Sequence, residues 1–348
     1  VLGWALGAAT LGVGAGLAAE KAIVRRARSR PDPYLHEGYG KLRPDRTYWV
    51  ESFDGTPVAV DEFGPEKATA GAVFLHGYCL DASVWHHQMT YLDSARRYVF
   101  YDARGHGRSK WQAAPLDVKG LAGDLRSIFD RSGLEQCVLV GHSMGGMTVL
   151  EYAREFPSDI RVKGLALVNT TFTDAVKTMV ASGLIGPMEG RTWRAIEWFL
   201  QDRRRMPGLR LRDDDLSFLL VRLFGFGPKA SPAQVEHVRK LLQCFPTAEL
   251  TEIAKALRDF DAEDDLAGID RPTLIIAGTN DRITTVKASE KMAEEIPSSK
   301  LFVFEGAGHM TMMEREREFN AILSEFLDAH LPAAAPAPKA RRSRRTKE

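Results

Sequence analysis

Six short apolar runs, each leading into a polar loop or a stretch with helical spacing, set the tightest limit on how this chain can fold. They are "GAVFLHG", "RRYVFYDARGHG", "CVLVGHS", "VKGLALVNTT", "PTLIIAGTND" and "KLFVFEGAGH". β-branched, aromatic and aliphatic residues follow one another there without polar alternation, the pattern of strands covered on both faces. Between them, Asp117–Arg131 carries Val118, Leu121, Leu125 and Ile128 at helical spacing, and Asp81–Leu92, Met144–Phe156, Lys287–Ile296 and Arg315–Leu331 also read as helices. Buried strands alternating with helices predict an α/β protein with a mainly parallel central sheet flanked by helices. Ahead of them, "YWVESFDGTPVAVDEFG" predicts two strands turning at Asp54-Gly55.

The alternation stops between Thr173 and Asp265, where no run resembles a buried strand and the sequence turns helical, as in "DDLSFLLVRLFGFG" and "SPAQVEHVRKLLQCF". That stretch is too long for a plain loop in a compact domain. It predicts a helical lid, residues 174–264, inserted between two halves of the core, 43–173 and 265–331. Trp193, Trp198, Phe199, Phe218, Leu219, Phe224 and Phe226 exceed what a small lid needs for its own core. They predict lid packing together with an apolar wall over a site.

One strand enters "VLVGHSMGG", in which Ser143 stands between Gly141 and Gly145, with Gly146 next. A serine hydroxyl becomes a useful nucleophile only when exposed beside a base and near donors for the developing oxyanion. A sharp strand-to-helix turn gives the exposure, and it brings strand and helix so close that its flanks must be small. The spacing is that of the G-x-S-x-G nucleophile elbow, with a β-rich run before it and a helix-like run after it. A carboxylate and a histidine are expected later in the chain. Asp281 in "AGTNDRIT" and His309 in "FEGAGHM" each follow an apolar strand, on the sheet edge where such folds bind ligands. The imidazole would take the serine proton and return it to the leaving group, while the carboxylate fixes its tautomer. A tight turn at His76-Gly77 in "FLHGYCLD" would aim the Tyr78 N–H at the oxyanion. The N–H of Met144 would be the second donor. Asp102 and Arg104 in "DARGHGRS" read as loop holders, and His142 as a packing or hydrogen-bonding residue. His106, His86 and His87 show no metal-ligand spacing.

"HGYCLDASVW", "DARGHGRS", "GHSMGG", "GTNDRIT" and "GAGH" stand in the order found in α/β-hydrolases, and over Arg43–Thr173 and Asp265–Leu331 the chain resembles that superfamily. "GHSMGG" is similar to the motif of serine esterases, monoacylglycerol lipases and cofactor-free haloperoxidase-like esterases. Epoxide hydrolases and dehalogenases carry an acid where Ser143 stands and a proline where Cys79 stands. The resemblance implies hydrolysis of a carboxylic ester through an acyl-enzyme, with no cofactor and no metal. Ser143, Asp281 and His309 would be catalytic, and the Tyr78 and Met144 amides would form the oxyanion hole. The apolar lid favours a lipid-like ester. A thioesterase, or an amide hydrolase of the proline-iminopeptidase kind using Asp213–Asp215 and Glu249, is the enzymatic alternative. A membrane-attached binding or scaffold protein keeping the hydrolase fold is the non-enzymatic one.

The termini differ from the body. Val1–Ala19 carries no charge and meets Glu20, Lys21 and "RRARSR". Its length falls in the lower part of the ~17–25 residues of a membrane-spanning helix, though its many Ala and Gly residues make it weakly apolar. Residues 1–30 are therefore expected to act as a membrane anchor with a basic flank, and Arg25, Arg26, Arg28 and Arg30 would hold the following domain on the cytoplasmic side. Export by a signal segment is the alternative, although no basic stretch precedes the apolar run. Residues 332–348, "PAAAPAPKARRSRRTKE", read as a disordered basic tail. A net charge of +1 gives the body no electrostatic case for nucleic acid, and three scattered cysteines give no disulfide framework.

Overall fold

A computed structural model describes residues 21–332 apart from 94, 112–116, 179–214 and 245–246. The apolar run Val1–Ala19, most of the C-terminal tail, and Trp193, Trp198, Phe199, Asp213 and Asp214 of the expected lid lie outside the described residues.

Eight strands form one sheet in the order β1-β2-β4-β3-β5-β6-β7-β8. β1 (Arg46–Glu51) and β2 (Pro57–Phe63) pair antiparallel around the Asp54-Gly55 turn, and β2 also runs antiparallel to β4 (Arg97–Tyr101). From β4 onward every neighbouring pair is parallel: β3 (Ala70–Leu75), β5 (Gln136–His142), β6 (Val162–Val168), β7 (Thr273–Gly278) and β8 (Ser299–Phe304). β4, most of β5 and all of β7 are buried along their length, because helices cover both faces and no polar alternation is required.

A first helix, α1, spans residues 21–28. The run expected as one helix at Asp81–Leu92 is a 3₁₀ turn, Ala82–Trp85, capped by the Asp81 carboxylate, followed by α2 (His86–Tyr91). α3 (Val118–Ser132) starts at an Asp117 cap whose side chain accepts from Gly120 N–H at 2.6 Å, and it ends at Gly133 in the left-handed region, φ 67°. α4 (Met144–Glu155) follows β5 after a single residue.

Among the described residues the stretch between β6 and β7 holds a short helical turn, Ala175–Thr178, then the longer helices α5 (Asp215–Gly225), α6 (Pro232–Cys244) and α7 (Thr247–Arg258), and a 3₁₀ turn, Glu263–Gly268. The insertion closes at its neck, where Thr173 bridges Asp261 antiparallel and the Ala262 N–H donates to the Phe172 carbonyl at 2.8 Å. The chain then completes the sheet with α8 (Val286–Glu295), the short α9 (Thr311–Glu314) and α10 (Glu316–His330).

The segment ahead of β1 is tied to the lid. Val24 and Ala27 of α1 are buried in the same apolar cluster as Phe218 and Val221 of α5. Arg28 pairs with Asp215 at 3.1 Å and lies 4.8 Å from the Phe218 ring centroid. The Asp32 carboxylate accepts from Ser231 Oγ and from Ala233 N–H, both at 2.7 Å, and so caps the first turn of α6. Tyr39 stacks on His237 of α6 at 4.9 Å and meets the His86 ring at a tilt, 4.8 Å between centroids. Residues 21–42 thus strap the lid to the hydrolase body, and the basic flank read from the sequence, residues 21–30, belongs to this strap. Among the described residues no helix is long and apolar enough to cross a membrane.

Candidate active site

Ser143 is the single residue between β5 and α4, and it sits at φ 53°, ψ −117°. A non-glycine residue with positive φ is strained and persists only where its surroundings fix it. Here the Ser143 N–H donates to the Val168 carbonyl at 3.0 Å, and its own carbonyl accepts from the Gly146 and Met147 amides and from Thr170 Oγ1. The glycines are explained by contact. A Cβ on Gly141 would lie 2.3 Å from the Gly145 carbonyl oxygen, one on Gly145 would lie 2.5 Å from that of Leu75, and one on Gly146 would lie 2.5 Å from Thr170 Cβ.

Asp281 and His309 leave the same sheet edge after β7 and β8. The His309 Nδ1–H donates to Asp281 Oδ2 at 2.8 Å, which turns Nε2 away from the carboxylate. Asp281 also accepts from Asn169 Nδ2 and Thr284 Oγ1, both at 2.9 Å, and from the Ile283 and Thr284 amides at 2.9 and 3.0 Å. Burial pushes its carboxyl up; the charge of the His309 imidazolium and the bonds from His309, Asn169 and Ile283 outweigh it and hold the group below its usual range.

Ser143 and His309 line one cavity of about 270 Å³. Its walls are mostly apolar, with Tyr78 and Met310 on the core side and Leu220, Val221, Phe224 and Leu242 from the lid. The Leu80 N–H donates to the Gly77 carbonyl at 3.2 Å, so the chain turns tightly through Tyr78, and Cys79 takes φ 60°. His76 fixes this turn: Nε2 accepts from the Ala103 N–H at 2.9 Å, so Nδ1 carries the proton and donates to the Gly77 carbonyl at 2.8 Å. Burial lowers its basicity, in keeping with a neutral ring. Met144 opens α4, where first-turn amides have no acceptor within the helix.

The neighbouring polar residues hold loops. His142 donates Nε2–H to the His309 carbonyl at 2.9 Å, its rings 4.7 Å apart, and burial holds it well below its usual pKa. The Asp102 carboxylate accepts from the Ala82 and Arg108 amides, and Arg104 is buried against Asp124 and Asp54. His86 faces Glu37 at 3.0 Å, and among the described residues no three His, Cys, Asp or Glu side chains gather as metal ligands would.

Three residues around the pair carry no local sequence signal. Asn169, at φ 43°, bridges Asp281 and the Gly308 carbonyl, and Thr311 Oγ1 donates to its side-chain oxygen. Thr284 Oγ1 donates to Asp281 and lies 3.3 Å from His309 Nδ1. Glu314 accepts from the Gly308 N–H with Oε1 and from the Gly227 N–H with Oε2, each at 2.8 Å. It therefore ties the histidine loop to the lid, and burial pushes its carboxyl up to about 7. The two backbones touch there, since a Cβ on Gly308 would lie 2.4 Å from the Phe226 carbonyl carbon.

Residues 72–322 match the model of the alpha/beta hydrolase family, and the chain belongs to that family. A 3-oxoadipate enol-lactonase of Acinetobacter baylyi is 27% identical over 259 residues, covering 73% of this chain and 88% of its own. A non-heme chloroperoxidase of Streptomyces lividans is 28% identical over 284 residues, covering 80% and 98%. The solved structure of a thermophilic esterase from Thermogutta terrifontis superposes with a TM-score of 0.68 at 24% identity, over 82% of this chain and 99% of that one, a likeness of fold. Such relatives support a hydrolase at the level of class.

Proposed function

We propose that the protein hydrolyses carboxylic esters through an acyl-enzyme on Ser143. The observation that carries this is one cavity lined by both Ser143 and His309, with Asp281 holding His309 by Nδ1 at 2.8 Å. Ser143 Oγ attacks the ester carbonyl carbon as its proton passes to His309 Nε2. The Tyr78 and Met144 amides receive the oxyanion. Collapse expels the alcohol, which takes the proton from Nε2. Water then attacks the acyl-enzyme, giving its proton to His309, and Ser143 is regenerated as the acid leaves. Asp281 stabilises the imidazolium in both halves without itself taking the proton. A lactone, the substrate class in the name of the Acinetobacter relative, is an internal ester and takes the same steps.

The apolar walls support an aliphatic acyl chain, because they offer its methylenes burial worth ~0.8 kcal/mol each. Two measurements test the reading. A fluorophosphonate should label the wild type and not Ser143→Ala. Turnover of p-nitrophenyl esters should rise from acetate to medium chains, and an aminopeptidase substrate beside them should stay intact. Labelling of the Ser143→Ala protein would move the nucleophile elsewhere.

We propose also that residues 1–30 bring the protein to a membrane, with the hydrolase body on the cytoplasmic side. The uncharged run and the four arginines within Arg25–Arg30 support this. Fractionation of the intact chain against one lacking the first 19 residues tests it. Equal solubility, or a mature N-terminus inside Ala18–Arg28, would overturn it.

A further inference from the structure

The lid helix α5, "DLSFLLVRLFG", carries large apolar residues on its exposed side as well as on its buried one. Ser217, Phe218 and Val221 face inward and are buried, while Leu220, Leu223 and Phe224 are 38%, 45% and 38% exposed. Positions 220, 223 and 224 follow i, i+3, i+4 spacing and form one stripe. A grouped apolar stripe on a surface marks something that covers it. Leu220 and Phe224 also line the Ser143–His309 cavity, so the stripe borders its mouth.

The surroundings identify the cover. α1 packs on α5 through Val24 and Ala27, leaving Ile23, Arg25 and Arg26 exposed. Residues 20–30 hold Lys21, Arg25, Arg26, Arg28 and Arg30 against Glu20 alone, in a chain whose net charge is only +1. Arg30 Nη1 and Arg222 Nη2 of α5 both donate to the Pro228 carbonyl at 2.8 Å, and Lys229 follows, exposed. Cations therefore lie on α5 itself, on the helix packed against it and just beyond its end, and in the sequence the uncharged run Val1–Ala19 precedes α1. Apolar side chains flanked by cations suit an anionic bilayer surface.

We propose that the exposed face of α5, flanked by α1, docks on the surface of an anionic phospholipid membrane, so that the cavity mouth at Leu220 and Phe224 faces the bilayer and an ester enters from the lipid. This rests on the ester-hydrolase reading for its substrate and not for the docking itself.

The full chain is tested with vesicles of phosphatidylcholine alone and of phosphatidylcholine with phosphatidylglycerol, both carrying a long-chain monoacylglycerol. Leu223 does not line the cavity, so Leu223→Glu should hydrolyse soluble p-nitrophenyl acetate as the wild type does. On the anionic vesicles it should hydrolyse the embedded ester about tenfold more slowly. Arg25→Glu/Arg26→Glu should remove the preference of the wild type for anionic vesicles. Equal rates of wild type and Leu223→Glu on vesicles would overturn the proposal. So would a lipid-free dimer that Leu223→Glu dissociates, since a second copy would then be the cover. Vesicle flotation of Ser143→Ala, with and without Leu223→Glu, reads docking without turnover. A fall in flotation with Leu223→Glu supports the docking even if no ester is cleaved, and no fall overturns it even if esters are.

Discussion

A Cβ added at Gly145 would lie 2.5 Å from the Leu75 carbonyl oxygen, whereas one added at Gly225, on the lid side of the same cavity, would meet nothing within 4 Å. On the sheet side the cavity is bounded by backbone pressed on backbone, and the carboxylate that orients His309 is saturated with hydrogen bonds. On the lid side it is bounded by side chains of the lid helices, among them Leu220, Val221, Phe224 and Leu242. In the ester-hydrolase reading proposed above, the first kind of wall would hold the reacting atoms and the second would select the acyl chain.

The largest expected effect lies on the sheet side. Asp281→Asn should leave the imidazole in the wrong tautomer and lower kcat by ~10⁴, equally for short and long acyl chains. A loss that varied with chain length in steady-state assays would mean that Asp281 also shapes the acyl site. Next comes Gly145→Ala, which should cost roughly 3 kcal/mol or more of stability because only backbone could move aside. Gly225→Ala, at the end of α5, should change stability by less than ~1 kcal/mol. Similar urea midpoints for the two variants would erase the distinction between the walls.

Glu314 crosses from one wall to the other and sharpens the comparison through pH. Its carboxyl lies near 7 against an ordinary 4.5, because of burial. The folded state therefore holds a proton that the unfolded state has released between those values. Its contribution is fully present below about 4.5 and is lost as pH rises to about 7. Urea unfolding of Glu314→Gln across that window should show a flatter decline with rising pH than the wild type, by up to roughly 3 kcal/mol. An unchanged slope would assign the decline to other groups. The smallest effect belongs to the lid: Phe224→Ala should lower kcat/KM for long-chain esters by about tenfold, ~1.4 kcal/mol, and leave acetate esters nearly untouched.

Much of the sheet side was legible in the sequence. Its strands are uninterrupted apolar runs, and Ser143, Asp281 and His309 each sit one loop beyond such a run, so local pattern and chain order locate them. Asn169, Thr284 and Glu314 escaped, because the partners of Asn169 lie 112 to 142 residues away along the chain, the lid partner of Glu314 lies 87 residues away, and Thr284 is held by ordinary turn chemistry. Polar residues of this kind show no periodicity. The packing of α1 also escaped: Val24 and Ala27 are two small apolar positions among arginines, and charge hid them. For the lid, helical spacing announced the helices. It could not announce that α5 has an exposed apolar side, since Phe218 and Phe224 look alike until one is buried and the other is not.

The meeting of Gly227 with Gly306 and Gly308, under the two oxygens of Glu314, bears on how such a protein can diversify. A lid exchanged for a relative's at the neck, Thr173 and Asp261, would bring a foreign chain against the loop that carries His309. Unless residues 225–228 and 306–314 travel together, the graft would shift the histidine along with the specificity it was meant to change. The unit of recombination here is discontinuous, a lid together with a nine-residue piece of the core that lies some eighty positions further along the chain.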